Sequence, residues 1–463
     1  MSATERRISW GLLALAWLWF TLAACWELFG PLLAGHYAAS ASLGIAADNM
    51  LEWGIIGPVW SYAAHQPPPS HYYCHHPWGI FWTTTVAMKI FGHHDFVCRL
   101  PAVLLSSATP PLLFLLGRAI WRPAAGAACA AAFVVLPITL AFANFNALEV
   151  PVIAWSTLGL WAYVRHNQTW KRRYLVASLC GFAMALHADW PAYVLVSALL
   201  CFGLLHGIVF RRALGRVRLR PYVRWWALTA MLTAATLGLY LYLFHRSSGL
   251  ADLFASYTKR SAGSGLTLSK VLDSRRYWIE VSFTPIAILI GKVAAGLSLV
   301  RLLWRRDPHE VVPLLVLFMA VVQYVGFKQG ADVHIYWPHY FAAFFALGMG
   351  ALTATGMGIV APGGRDTRGH PAGWRRRPAL RARHRRTVQR KGPPHPLGWG
   401  QDGLAALARA PASAARPGGH ARRHEDHLVP RLEPGRARGQ GIPGRAQPGS
   451  GRRDLPGRSA LPL

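Results

Sequence analysis

The sequence predicts an all-α polytopic membrane protein, and three observations predict it. Hydrophobic residues make up 53% of the 463-residue chain, with a mean hydropathy of +0.25. Up to about residue 360 they gather in blocks rich in Leu, Ala, Trp and Phe, most of them close to the ~20 apolar residues that a helix needs to cross a hydrocarbon core of about 30 Å. Short basic stretches separate many of these blocks, as loops retained on the cytoplasmic side do.

In chain order, the blocks that read as spans are 10–33, 100–117, 124–143, 150–164, 174–187, 190–210, 225–244, 278–303, 311–327 and 337–360. The first is too long, and lacks the small-residue cleavage site, for a removable signal peptide. Block 78–91, WGIFWTTTVAMKIF, is short and reads as an interfacial or re-entrant helix.

Charge parity supports that reading. With 78–91 not crossing and Arg6 and Arg7 inside, 17 basic residues fall on the inner side and nine on the outer. Six of those nine lie in the long segment 245–277: Arg246, Lys259, Arg260, Lys270, Arg275 and Arg276. If 78–91 crossed, every later loop would invert and the positive-inside rule would fail. The first outer loop is therefore 34–99, and its stretch 34–77 contains no Lys or Arg.

The formal net charge of +30 does not point to nucleic acid. Residues beyond 360 hold 22 of the 49 Lys and Arg and six of the 19 acidic residues, so that segment supplies +16. No nucleic-acid-binding motif accompanies the charge. Six cysteines (Cys25, Cys74, Cys98, Cys129, Cys180 and Cys201) form no CxxC pair, which argues against a zinc knuckle or a redox motif.

The same topology collects the ionisable residues at the outer side, where groups near apolar depth are functional candidates by default. Asp48 and Glu52 are four apart in 35–54 and share one helix face; they suit a general base, or equally a solvated face. His75 and His76, ahead of Pro77, suit hydrogen bonding to a phosphate, metal ligation, or an interfacial His and aromatic belt. Glu149, in NFNALEVP, stands where a helix N-terminus favours an acid, or where a carboxylate enters a cavity. Asp189, in ALHADWPAYV, suits a helix cap or a site residue. Lys259 and Arg260, with Lys328 and His334 from FKQGADVHIYWPHY, supply cations for an anionic lipid phosphate or a phosphate leaving group.

Together these segments resemble the family 39 type of membrane glycosyltransferases, of the GT-C fold class, which includes protein mannosyltransferases and bacterial aminoarabinose transferases acting on lipid A. HHPWGIFW followed by KIFGHHDFVCRLPAVL resembles the family's short outer helix, FG turn and Arg-Leu-Pro entry to the next span. Glu149 matches the acidic residue at the junction of the third and fourth spans. DWPAY at 189–193 is similar to a bacterial subgroup, and VHIYWPHYFAAFFALG at 333–348 to the family's His-x-Tyr entry to a late span. The likeness runs over about residues 8–360.

This resemblance implies a GT-C-like bundle of about ten transmembrane helices with interfacial helices at the outer face. It implies inverting transfer of a sugar from a polyprenyl-phosphate donor to a protein, lipid or glycan acceptor, such as lipid A or another envelope glycan. The setting it implies is the outer, periplasmic face of a bacterial inner membrane. The family places a catalytic acid early in the first outer loop. Here that stretch reads GHYAASAS, with no carboxylate between Glu27 and Asp48, and His36 occupies the early position. Asp48, Glu149 and Asp189 are the candidate catalytic residues; His36, Glu52, His75, His76, Lys259, Arg260, Lys328 and His334 are the candidate substrate-binding residues. No cofactor is indicated beyond a divalent metal, which stays open. The alternative is a transporter or flippase for a lipid-linked substrate, although transporters place polar groups near the midplane rather than at one face.

Residues 361–463 contain 21 Arg against one Lys, with many Gly, Pro and Ala. Such a segment cannot bury a core and is expected to be disordered. Because the codons for these residues are GC-rich, a frame-shifted reading is expected, which would leave the transferase domain, 1–360, without its continuation.

Overall fold

A computed structural model describes residues 3–32, 37–209, 211–262, 267–305 and 307–360; all of them fall in the first of the chain's two units, Met1–Leu380. The expectation for 361–463, and that for His36, lie outside the described residues.

The described chain is helical, with no strand among the described residues. In order the helices are α1 Ala3–Ala24, α2 Tyr37–Trp53, α3 Gly79–Phe91, α4 Asp95–Ile120, α5 Pro123–Val134, α6 Pro137–Ala141, α7 Glu149–Thr169 and α8 Arg172–Ala188. They continue with α9 Trp190–Val209, α10 Arg211–Arg246, α11 Leu250–Ala262, α12 Leu268–Ser282, α13 Pro285–Arg305, α14 Val312–Gly326, α15 Lys328–Val333 and α16 Ala342–Val360.

Each of the ten apolar blocks carries helix, and seven helices are long and apolar enough to cross a membrane, among the described residues. Several boundaries differ from the sequence reading: α1 ends at Ala24, short of residue 33, and α10 already begins at Arg211, ahead of residue 225. Block 124–143 is broken by Pro137 into α5 and α6, because a proline lacks the amide that would continue the ladder. The span expected at 278–303 starts at Pro285, and residues 278–282 finish α12. Pro285 stands at the first turn of α13, where its missing N–H costs nothing.

The helices close on one another through small residues. A Cβ on Gly181 of α8 would stand 2.6 Å from the amide nitrogen of Gly159 on α7. Those two backbones therefore touch, as small residues allow where apolar burial against lipid drives no association. Gly79, at the start of α3, abuts α8 so tightly that a Cβ there would lie 2.3 Å from the carbonyl oxygen of His187. α3 has 13 residues, about 20 Å at 1.5 Å per residue and short of a ~30 Å core. It buries Ile80, Phe81, Thr84 and Met88 and exposes Val86, Ile90 and Phe91.

Two buried arginines tie the ends of the bundle. Near the start of α4, Arg99 donates to the carbonyls of Glu27, Leu28, Gly30 and Pro31, satisfying the backbone that leaves α1. Close by, the Asp95 carboxylate accepts the Leu32 amide at 2.9 Å. At the other end Arg301 of α13 grips Glu310 with two hydrogen bonds, 2.6 and 2.9 Å. The Trp121 indole donates to the same carboxylate at 2.9 Å, and Arg301 also donates to Thr355 Oγ1 at 2.7 Å.

Candidate active site

The cavity that gathers the sequence candidates has a volume of about 250 Å3. Its walls are Ala39 and Leu43 from α2, Trp60, Tyr73, His75 and His76 from the segment between α2 and α3, and Phe81 from α3. Ala147, Leu148 and Glu149 lead into α7; Arg260 comes from α11; His334, Tyr336 and Trp337 precede α16.

Glu149 is placed by the segment before it. Asn144 donates to the carbonyl of Trp26 at 2.8 Å, and Asn146 to Thr84 Oγ1 of α3 at 2.9 Å. Ser40 of α2 donates to the Asn146 carbonyl at 3.1 Å. Three elements thus fix the turn that opens α7, and Glu149 is left at that helix N-terminus, where an acid is favoured. It is 2% exposed, and its Oε2 has no hydrogen-bond partner among the described residues. An unpartnered buried carboxylate oxygen is costly unless something else fills the site. Glu149 is therefore placed to take a hydrogen-bond partner from a ligand.

Asp189 is arranged in the opposite way. Its Oδ1 accepts from His76 Nδ1 at 2.6 Å and from the Trp190 amide at 2.8 Å, and its Oδ2 accepts from Tyr340 at 2.8 Å. The carboxylate is 2% exposed with both oxygens hydrogen-bonded, and it does not line the cavity. It caps α9 and orients His76. The Trp190 indole fixes the same corner by donating to the His75 carbonyl at 2.8 Å. Tyr73 lies nearly parallel to the His76 ring at a centroid distance of 6.1 Å and stacks on Trp60 at 4.7 Å.

Arg260 supplies the positive charge. It is the only Lys or Arg lining the cavity among the described residues, and no carboxylate pairs with it there. Its Nη1 lies 3.1 Å from His334 Nε2, its Nε donates to Ser256, and its guanidinium lies 6.0 Å from the centre of the Trp337 ring. On the other edge of His334, Nδ1 is 2.9 Å from the Tyr336 hydroxyl. Burial lowers the pKa of His75, and neighbouring His76 and Arg260 push the same way, so it is neutral at pH 7. Burial raises the hydroxyls of Tyr73 and Tyr336, which stay protonated.

The remaining candidates stand elsewhere. Asp48 forms an ion pair with His93 at the turn between α3 and α4, with the carboxylate side chain 45% exposed. Glu52, Lys259 and Lys328 are not buried, and none lines the cavity. Of the other basic residues in 245–277, Arg275 pairs with Asp332 at 2.5 Å and Arg276 with Glu280 at 2.8 Å. Among the described residues no group of three or more His, Cys, Asp or Glu is arranged to hold a metal ion. The sequence reading did not single out Trp60, Tyr73, Trp337 or Tyr340, and it marked Tyr336 only as the tyrosine of the His-x-Tyr motif. The aromatic neighbours of the histidines in HYYCHHP and HIYWPHY were the available signal.

Residues 75–237 match the family model described as dolichyl-phosphate-mannose-protein mannosyltransferase. No curated protein matches the chain. Among solved structures, ArnT from Cupriavidus metallidurans bound to undecaprenyl phosphate is similar at 17% identity and a TM-score of 0.53, over 78% of this chain and 64% of that one. The Archaeoglobus fulgidus oligosaccharyltransferase in its apo form is similar at 13% identity and a TM-score of 0.51, over 78% of this chain and 53% of that one. The same archaeon's oligosaccharyltransferase AglB, in complex with an inhibitory peptide and a dolichol-phosphate, gives 13% identity and a TM-score of 0.50, over 78% and 52%. This chain thus spans less than two thirds of the length of these structures. The fold is that of the GT-C membrane glycosyltransferases. The resemblance read from HHPWGIFW through DWPAY lies within the matched segment and is borne out there.

Proposed function

We propose that this membrane protein transfers a sugar from a polyprenyl-phosphate-linked donor to an acceptor at the outer face of a bacterial inner membrane. The observation that carries the reading is the meeting, in one cavity, of an unpartnered buried carboxylate, Glu149, with the unneutralised Arg260 guanidinium beside His334. Sugar transfer from a lipid phosphate needs those two opposites close together. The departing phosphate gains negative charge as the glycosidic bond breaks, and a fixed guanidinium in a largely apolar cavity stabilises it. The attacking hydroxyl or amine and the sugar's own hydroxyls are donors that a buried carboxylate orients and accepts from. Trp60, Tyr73 and Phe81 supply an apolar wall for the sugar ring.

The acceptor class is a protein, a lipid or a glycan. The transferase domain is taken as residues 1–360, and the Arg-rich segment 361–463 as a frame-shifted continuation. Translating the other two frames past codon 361 checks the latter, and absence of apolar blocks there sinks it. A transporter reading is less well served, because the polar groups crowd one end of the bundle.

Glu149→Gln tests the reading. In a strain lacking the gene and expressing the variant, mass spectrometry of surface glycans and lipid A is expected to show transfer reduced by roughly 100-fold at unchanged protein level, the scale of a lost orienting contact. Retention within about threefold would discard Glu149 and, with it, the cavity as the reaction site.

A further inference from the structure

We infer that the proton acceptor of the reaction is His76, held as a base by Asp189; the inference rests on the sugar-transfer reading above. Asp189 Oδ1 lies 2.6 Å from His76 Nδ1, and Asp189 is itself fixed by the Trp190 amide and the Tyr340 hydroxyl, both at 2.8 Å. A buried carboxylate at that distance draws the Nδ1–H toward itself and leaves the lone pair on Nε2. His76 lines the cavity, and its Nε2 has no hydrogen-bond partner among the described residues. Asp189 also stabilises the imidazolium once the proton has arrived. The other titratable groups that share this cavity edge are Tyr73, His75, Glu149, Arg260, His334 and Tyr336, with Tyr340 behind Asp189.

The step balances. The acceptor's hydroxyl oxygen or amine nitrogen attacks the anomeric carbon, and the bond from that carbon to the phosphate oxygen breaks. Its electron pair leaves on the polyprenyl phosphate, and the acceptor's proton moves to His76 Nε2, then to water. In this assignment His76 is the catalytic residue and Asp189 a positioning residue. Glu149 orients substrate hydroxyls without taking the proton. Asp48 is engaged with His93 outside the cavity.

The test compares a strain lacking the gene with the same strain expressing the wild-type chain, so that the native donor and acceptor are used. If the wild-type chain produces no mass shift in surface glycans or lipid A, the sugar-transfer reading itself fails. If it does, His76→Gln is expected to lower the modification by on the order of 100-fold, and Asp189→Asn by roughly 10-fold or more, while Asp189→Glu recovers part of it. Binding of undecaprenyl phosphate to the purified full chain, used as the probe, stays within about threefold in all three variants. Full modification by His76→Gln overturns the inference and leaves the sugar-transfer reading standing. Should His76→Gln melt early, Tyr340→Phe removes one hydrogen bond from the far oxygen of Asp189. A drop of about tenfold there supports the dyad, and wild-type modification overturns it.

Discussion

The two ends of the helical bundle treat buried charge in opposite ways. At the Arg301 end, Glu310 accepts three hydrogen bonds, two from Arg301 and one from Trp121, and Thr355 takes a further guanidinium proton. Every charge in that cluster has a partner inside the protein, and the cluster ties α13, α16 and the segment ahead of α14 to Trp121. At the cavity end, Glu149 Oε2 and His76 Nε2 are open, and Arg260 bonds to no carboxylate among the described residues. Burial alone therefore does not mark a functional charge in this chain. What separates the two charge clusters is whether the charged groups themselves are paired, because a filled cluster stabilises the fold whereas an open one lowers stability until a ligand restores it.

Four substitutions break or sharpen that contrast. The largest effect on stability is expected at the filled end. Glu310→Ala strands Arg301 in a buried site and is expected to cost about 3–5 kcal/mol. It should be read as an early melting transition of the purified protein and a fall in yield. Glu149→Gln should leave melting unchanged or raised while transfer collapses, and equal destabilisation by both changes would erase the distinction.

Next comes Arg260→Ala, which removes the cavity's charge without opening a core. It is expected to weaken undecaprenyl phosphate binding by roughly 10-fold, the scale of one charge-assisted contact, with melting nearly unchanged. Binding as tight as in the wild type would move the anion site elsewhere, with Lys259 and Lys328 as the next candidates. The smallest effect is expected for Asp48→Asn. Its pair with His93 has both side chains about half exposed and contributes at most about 1 kcal/mol. Transfer within about threefold of wild type is expected, and loss of activity comparable to Glu149→Gln would return Asp48 to the reaction.

Much of the candidate site is legible in the amino-acid sequence. Glu149, His75, His76, Arg260 and His334 all line the cavity, and each is marked as an ionisable residue on the outer side, at or between the edges of apolar blocks. Asp189 is marked in the same way and does two things: it caps α9 and holds His76. The residues that stand away from the cavity share a cause. Asp48 and Glu52 fall on one helical face in the sequence, but hydropathy does not say how α2 is rotated, and Ala39 and Leu43 are the α2 residues that reach the cavity. Arg275 and Arg276 count as outer cations by position, yet each is paired with a carboxylate. The Arg-Leu-Pro entry resembles a family signature; its physical content is that Arg99 closes the carbonyls at the end of α1.

By itself the sequence determined the membrane class, the number and order of the apolar blocks, and the segments that carry chemistry. Those properties follow from transfer free energies and proline positions, which act over a single turn or a single helix and sum along the chain. Only the tertiary structure decided which charges are filled and which are open. His76 meets Asp189 across 113 residues, and Arg260 meets His334 across 74. Such meetings depend on the rotation and approach of whole helices, set by contacts such as Gly159 against Gly181 and Gly79 against His187. A helix turned by one residue rotates its face by about 100° and exchanges an open carboxylate for a paired one.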